Sequence, residues 1–259
     1  MTDLFRERHY LVTGAASGIG LALAKRLAAR GTRLTLWDVN ADALDAAAAA
    51  TQGLPQRVDI SDSAQVTETL ALAVEQQGAL HGVIHSAALL YTGMFAEMPL
   101  AEHARLVNVN LGGTVQVVYA ALPHLRATRG ALVLLSSVSS FLPSPEFGTY
   151  AATKAGVLSL AQTLRLELED DGVYIGVANP LFVSSPMLNE RARSTASFNM
   201  KSPMLRVYPP EAVADSIIRG IERRQFMIWT GLRPRLLYWL SRYGAWATSP
   251  LTRYTWRRG

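Results

Sequence analysis

His9-Tyr10-Leu11-Val12-Thr13-Gly14-Ala15-Ala16-Ser17-Gly18-Ile19-Gly20 begins as a short apolar run, passes through a glycine-rich turn and leads into a helical pattern from Leu21 to Ala29. Glycines let a backbone turn tightly and approach a pyrophosphate, whose charge is met by unpaired N–H groups at the start of a helix. Such a glycine pattern is informative only between a strand and a helix, and the flanking segments supply that context. Outward from it the alternation continues. Leu34 to Asp38 reads as a strand and Ala41 to Ala50 as an alanine-rich helix. Arg57-Val58-Asp59 reads as a third strand, followed by a helix from about Ser63 to Gln77, a strand Gly82 to Ser86 and a long helix from about Ala101 to Ala127. The strand Ala131 to Ser136, a helix from Tyr150 to about Glu169 and the strand Val173 to Ala178 complete the series. Apolar strands alternating with helices imply a parallel sheet covered on both faces. The expectation is therefore an α/β chain, doubly wound, with about six or seven parallel strands and a C-terminal amphipathic extension.

With 259 residues, 49% of them apolar and 17% charged, the chain suits a single domain over 1–259. The absence of cysteine excludes disulfides, thiolate catalysis and cysteine metal sites, and the five histidines show no metal-ligand spacing, so no metal is expected. Met1 to Tyr10 lacks a signal-peptide pattern and no run reaches the ~20 apolar residues of a membrane span, which points to the cytoplasm. The net charge of +5 raises nucleic acid or anionic lipid as partners. Its distribution is uneven, because Arg219, Arg223, Arg224, Arg233, Arg235, Arg242, Arg253, Arg257 and Arg258 crowd the end, opposed there only by Glu222. Neither a helix-turn-helix signal nor an aromatic-studded single-strand fold accompanies this charge, so nucleic acid is not expected.

Asp38 closes the second strand 18 residues after Gly20, where a carboxylate can accept hydrogen bonds from both hydroxyls of an adenosine ribose. The same charge repels a 2′-phosphate, and neither Ser17 nor Val39 offers a basic residue, so NAD is expected over NADP. Asp38 has a second reading, as a turn residue with Asn40. Asp59, with Ile60 beside it, either bonds the adenine edge or caps the next helix.

Tyr150 and Lys154 lie four apart, which on a helix puts the phenol and the ammonium on one face. Ser137 lies 13 residues upstream, in Leu134-Leu135-Ser136-Ser137-Val138. With the glycine turn these residues resemble the short-chain dehydrogenase/reductase family, in the subgroup carrying TGxxxGxG and YxxxK, from about His9 to Met187 and more weakly to Glu222. The resemblance implies a Rossmann-type fold and hydride transfer to or from a nicotinamide. It implies that Tyr150 is the general acid/base, that Lys154 lowers the Tyr150 pKa and holds the nicotinamide ribose, and that Ser137 orients the substrate oxygen. Asn110, in Asn110-Leu111-Gly112-Gly113, matches the helix asparagine that keeps a water in the proton relay. Gly14, Ser17, Gly18, Ile19, Gly20, Asp38, Asp59, Ile60, Ala87, Pro180, Val183 and Ser185 would join Tyr150 and Lys154 around the cofactor. A dimer or tetramer built on the helices of about Ala101–Ala127 and Tyr150–Glu169 is also implied.

The chain departs from that pattern. His85-Ser86-Ala87-Ala88 stands where the family usually has Asn-Asn-Ala-Gly, which removes hydrogen bonds between strands and adds a Cβ near the cofactor. Pro180-Leu181 replaces Pro-Gly, and Ser185 replaces a threonine. The segment 184–208 has no periodicity and is longer than most connections, and its place after a late strand marks a substrate lid. Leu89-Leu90-Tyr91-Thr92-Gly93-Met94-Phe95, Phe141, Leu142, Phe147, Phe182, Met187, Leu188, Phe198, Met200 and Met204 make the reachable surface apolar, suited to a hydrophobic secondary alcohol or ketone.

In the extension 229–259, a helix from Pro234 places Leu236, Trp239, Leu240, Tyr243 and Ala247 on one stripe, with Arg235 and Arg242 beside it. That fits a helix on the cytoplasmic face of an anionic membrane, or one packed on its own domain or a partner subunit. A lipid-, steroid- or long-chain-like substrate would match the first. The competing functions are a 3-oxo-lipid or 3-oxoacyl reductase, which Asp38 disfavours because such reductases generally use NADPH, and a non-catalytic NAD-binding sensor or scaffold.

Overall fold

A computed structural model describes residues 4–142, 144–185 and 207–244. Its centre is a seven-stranded sheet in which every neighbouring pair is parallel. The strands are β1 (His9–Thr13), β2 (Arg33–Asp38), β3 (Leu54–Arg57), β4 (Leu80–His85), β5 (Ala131–Leu135), β6 (Tyr174–Ala178) and β9 (Met227–Ile228), in the order β3-β2-β1-β4-β5-β6-β9. Parallel neighbours need crossovers, which the helices α1 (Gly18–Ala28), α2 (Ala41–Thr51), α3 (Ser63–Gln77), α5 (Thr114–Thr128), α6 (Gly148–Glu167) and α7 (Pro210–Glu222) provide. A shorter helix, α4 (Leu100–Leu106), precedes α5, and α8 (Leu232–Tyr243) follows the last strand.

Side chains alternate across the pleat, so one strand feeds two cores. Val12, Ile84, Val133 and Leu135 join Leu23, Leu27 and Ile217 on the α1–α7 face. Leu11, Val83, Leu132 and Leu134 join Val117, Leu125, Val157 and Leu164 on the α5–α6 face. Burial on both faces is why the strands read as continuous apolar runs. The expected α/β architecture and strand number hold.

Three features differ most from the sequence expectation. The third strand lies earlier, at Leu54–Arg57, because the pairing of Asp38 with Arg57 ends it there and leaves Val58 and Asp59 beyond the sheet. Pro55 is accepted because β3 is an edge strand, where a missing donor costs no ladder bond. The helix expected to run unbroken from about Ala101 to Ala127 is divided by a π-helical stretch, Val107–Gly113. Finally, Asp62 rather than Asp59 caps α3, accepting from the Ala64 and Gln65 amides.

The order of the strands reverses between β1 and β4, and the crevice at their carboxyl ends is where such sheets bind ligands. Residues 186–206 of the expected lid, with Met187, Leu188, Phe198, Met200 and Met204, lie outside the described residues. The roots of that segment do not: β7 (Phe182–Val183) pairs in parallel with β8 (Val207–Tyr208), and the Ser184 amide donates to the Tyr208 carbonyl at 2.9 Å.

Candidate active site

A cavity of about 930 Å³ runs along the carboxyl edge of the sheet from the glycine turn to α6. At one end Gly14 and Gly18 hold left-handed φ angles of +66° and +52°. A Cβ on Gly14 would sit 2.9 Å from the Ala87 backbone, and one on Gly20 only 2.0 Å from the Gly14 carbonyl oxygen. The Ser17 side chain caps no amide of α1, so the first turn presents its N–H groups without a competing protein oxygen from that residue. A bare helix start behind a turn that admits no side chain fits a pyrophosphate. Asp38 is held by two amides, Ala16 N–H at 3.0 Å and Asn40 N–H at 3.1 Å, so it serves the turn and also lines the cavity. Asp59 lines it too, its carboxyl kept below the usual carboxylate range by hydrogen bonds from the Ser61 hydroxyl at 2.6 Å and amide at 2.9 Å, and further by the Arg105 charge.

At the far end β5 delivers Ser137, which starts a 3-10 turn (Val138–Ser140) and accepts from the Ser139 amide at 3.1 Å. Tyr150 in the first turn of α6 lies near the Ser137 hydroxyl, which acts to lower its pKa. Its half-buried ring meets Phe147 edge-on, with centroids 6.3 Å apart. One turn on, Lys154 is buried, with Nζ donating to the Leu135 carbonyl at 2.9 Å and lying 5.8 Å from the Tyr150 ring centre. Burial pushes the Tyr150 phenol up to about 12, against the lowering effect of Ser137, and brings the Lys154 ammonium down to about 8. Burial and Ser137, rather than Lys154, are the causes of the Tyr150 shift in this arrangement. The ammonium is directed at a backbone carbonyl, and a dry setting disfavours both charged forms.

Every residue expected around the cofactor lines this one cavity: Gly14, Ser17, Gly18, Ile19, Gly20, Asp38, Asp59, Ile60, Ala87, Tyr150, Lys154, Pro180, Val183 and Ser185. Asn110 and Ser137 are not among its lining residues. Asn110 is fully buried in the π-helical stretch; its amide accepts from Leu89 N–H at 2.7 Å and donates to the Leu89 carbonyl at 2.9 Å. Its side chain thus clamps the loop leaving β4. Of the apolar set, Leu89, Leu90 and Tyr91 line the cavity, whereas Phe95 is 69% exposed and leans on His103, and Phe141 packs against Trp229 and Tyr238. Arg105 and Asn108 line the cavity without having been singled out; their signal was helical spacing from Ala101 and Ala104 on the same wall.

His85-Ser86 does not leave the strands untied, contrary to expectation. His85 Nδ1 lies 2.9 Å from the Thr13 hydroxyl and Nε2 lies 3.0 Å from that of Thr114. Thr114 gives its single proton to the Asn110 carbonyl at 2.6 Å, so it must accept from Nε2–H. Thr13 accepts from the Ser86 and Ala87 amides, so its proton goes to Nδ1. The ring is neutral and its tautomer fixed, with its pKa brought down to about 3 by burial and then by the Lys154 charge. Ser86 Oγ donates to the Thr13 carbonyl at 2.6 Å, completing the tie between β1 and β4.

Residues 8–196 match the model of the short chain dehydrogenase family. The chain is 31% identical over 217 residues to a 3-oxoacyl-[acyl-carrier-protein] reductase of Thermotoga maritima, covering 80% of this chain and 87% of the relative. It is 27% identical to the 11-beta-hydroxysteroid dehydrogenase-like 2 of Arabidopsis thaliana, covering 89% and 74%. Among solved structures, a short-chain dehydrogenase/reductase from Burkholderia phymatum in complex with NAD superposes with a TM-score of 0.81 at 27% identity, covering 92% of this chain and 94% of that one. A model match over most of the chain, on a fold whose switch-point crevice ends at Tyr150 and Lys154, makes the protein a member of the short-chain dehydrogenases, oxidoreductases that act on CH–OH groups.

Proposed function

We propose that the protein is an NAD-dependent dehydrogenase that interconverts a hydrophobic secondary alcohol and its ketone. The observation that carries this reading is the single cavity joining Asp38 at one end to Tyr150 at the other. NAD, held by the glycine turn, Asp38, Lys154 and the Pro180–Ser185 stretch, supplies or accepts the hydride. Tyr150 holds the proton exchanged with the substrate oxygen, and Ser137, near it, orients that oxygen. A phenol pushed up to about 12 keeps its proton at neutral pH and is therefore able to protonate a ketone oxygen. Asn110 fixes the Leu89 backbone at the cavity wall and in this reading also positions a relay water.

NAD is favoured over NADP because the Asp38 carboxylate faces the ribose end and the only lysine or arginine side chains among the described lining residues are Arg105 and Lys154. An apolar substrate is supported by Leu89, Leu90 and Tyr91. A dimer or tetramer built on α5 and α6 is supported by exposed Val115 and Tyr119 on α5 and Leu166 on α6. The Thermotoga maritima relative raises a 3-oxoacyl thioester as the second substrate class.

The test follows nicotinamide absorbance with NAD⁺ and NADP⁺ across apolar secondary alcohols of graded size, and with NADH and NADPH on a 3-oxoacyl thioester. Turnover with NAD⁺ that falls about a hundredfold or more in Tyr150→Phe, with NAD⁺ binding retained, is the expected outcome. Preference for NADP⁺ would overturn the role of Asp38, and NAD⁺ binding with no turnover in either direction would turn the reading toward a sensor.

A further inference from the structure

The described part of the C-terminal extension ends in a helix that is half docked. The inner side of α8 carries Pro234, which is buried, and Tyr238, whose ring meets Phe141 at 5.1 Å and Trp229 at 5.5 Å. Through Phe141 this side is fixed to the 3-10 turn beside Ser137. The outer side carries Leu232, Leu236, Trp239, Leu240 and Tyr243, all exposed, within an arc of about 100° at helical spacing. Trp239 and Tyr243 stack, with ring planes 11° apart. Arg235 and Arg242 border one edge of this stripe and Arg233 the other.

Charge decides what can cover it. After Glu222 the sequence contains eight arginines and no lysine, aspartate or glutamate, leaving seventeen basic against twenty acidic residues in the rest of the chain. Two copies meeting through this face would bring the Arg235 and Arg242 charges of each copy together with no carboxylate on the helix to relieve them. An anionic interface accepts both features at once, with the stripe entering the acyl boundary and the arginines meeting phosphates. The acidic remainder of the chain is repelled from the same surface, which sets one orientation.

We propose that the outer face of α8 docks the protein on an anionic lipid surface. Because the strands are parallel and α8 follows the carboxyl end of β9, the docked face lies at the same edge of the sheet as the cavity. An apolar substrate could then pass from the bilayer to the cavity mouth with a short aqueous path. No described helix is long and apolar enough to cross a membrane, so the contact is lateral. Docking does not depend on which substrate the cavity takes.

The test is co-sedimentation of the full chain with phosphatidylcholine vesicles, with and without phosphatidylglycerol, at low and high salt. Light scattering gives the oligomeric mass of the same samples. Binding only to the anionic vesicles, weakened by salt, is expected. Each of Arg235→Gln and Arg242→Gln weakens it by about fivefold, and Leu236→Ser with Trp239→Ser abolishes it while thermal unfolding stays cooperative. A folded chain that ignores anionic vesicles, or binds neutral ones equally, overturns the proposal. So does a loss of oligomeric mass in the Leu236/Trp239 variant without any vesicle binding by the parent, which would assign the stripe to a second copy. Vesicle binding by a chain that never reduces NAD⁺ would leave docking standing and count only against the dehydrogenase reading.

Discussion

His85 replaces an asparagine of the family pattern, yet its ring forms a closed chain of hydrogen bonds from the Thr13 hydroxyl to the Asn110 carbonyl. Each hydroxyl in that chain has one proton and one assigned direction, so an apolar replacement orphans two buried groups at once. His85→Leu is expected to destabilise the protein by about 2–4 kcal/mol, read as a lower denaturant midpoint with unchanged slope, while His85→Asn recovers part of the loss. The motif residues were legible in the sequence because their spacing is local: four residues put Tyr150 over Lys154, and the glycines sit within one turn. The His85 network was not legible. Its partners come from β1 and α5, 72 and 29 positions away, and only the folded register brings their hydroxyls to the two ring nitrogens.

Elements were legible where one periodicity ran uninterrupted. The sequence expectation for α3 and β1 coincides with the structure, since each combines a clear apolar pattern with a turn at its end. The π-helical stretch at Val107–Gly113 was hidden because an extra residue in one turn leaves helical composition unchanged. That stretch turns Asn110 inward to the loop after β4, and Gly113 lets Ile60 approach, where a Cβ would meet it at 2.8 Å. The turn from β1 to α1 is more demanding still. Gly20→Ala would drive a Cβ into the Gly14 carbonyl, which is backbone and cannot swing aside. This substitution should abolish saturable NAD⁺ quenching of tryptophan fluorescence, while the circular dichroism of the remaining helices persists.

On the scale of the whole molecule, acid is the condition that tests the fold. Burial brings His9 down to about 4 and His85 to about 3, from ordinary values near 6.5. Above 6.5 both rings are neutral whether the chain is folded or not, and their contribution is fully present. As pH falls from 6.5 toward these folded values, the unfolded chain takes up protons that the folded chain refuses, so stability declines. Calorimetry should show a melting temperature level between about 6.5 and 8, below the Lys154 titration, and dropping steeply toward 4, with a shallower slope in His9→Gln. The overall architecture was legible because two-sided burial writes itself into every strand, whereas the outward face of α8 became interpretable only once Tyr238 was seen to take the inner side. The short ladder of β7 with β8 has a separate consequence, in the entropy of loop closure. Pairing Phe182 with Val207 and Val183 with Tyr208 fixes the two roots of the connecting segment independently of what lies between them. Doubling the length between fixed roots costs only about 0.6 kcal/mol. Insertions and deletions between these roots should therefore be tolerated while the sheet, the glycine turn and α6 remain as they are.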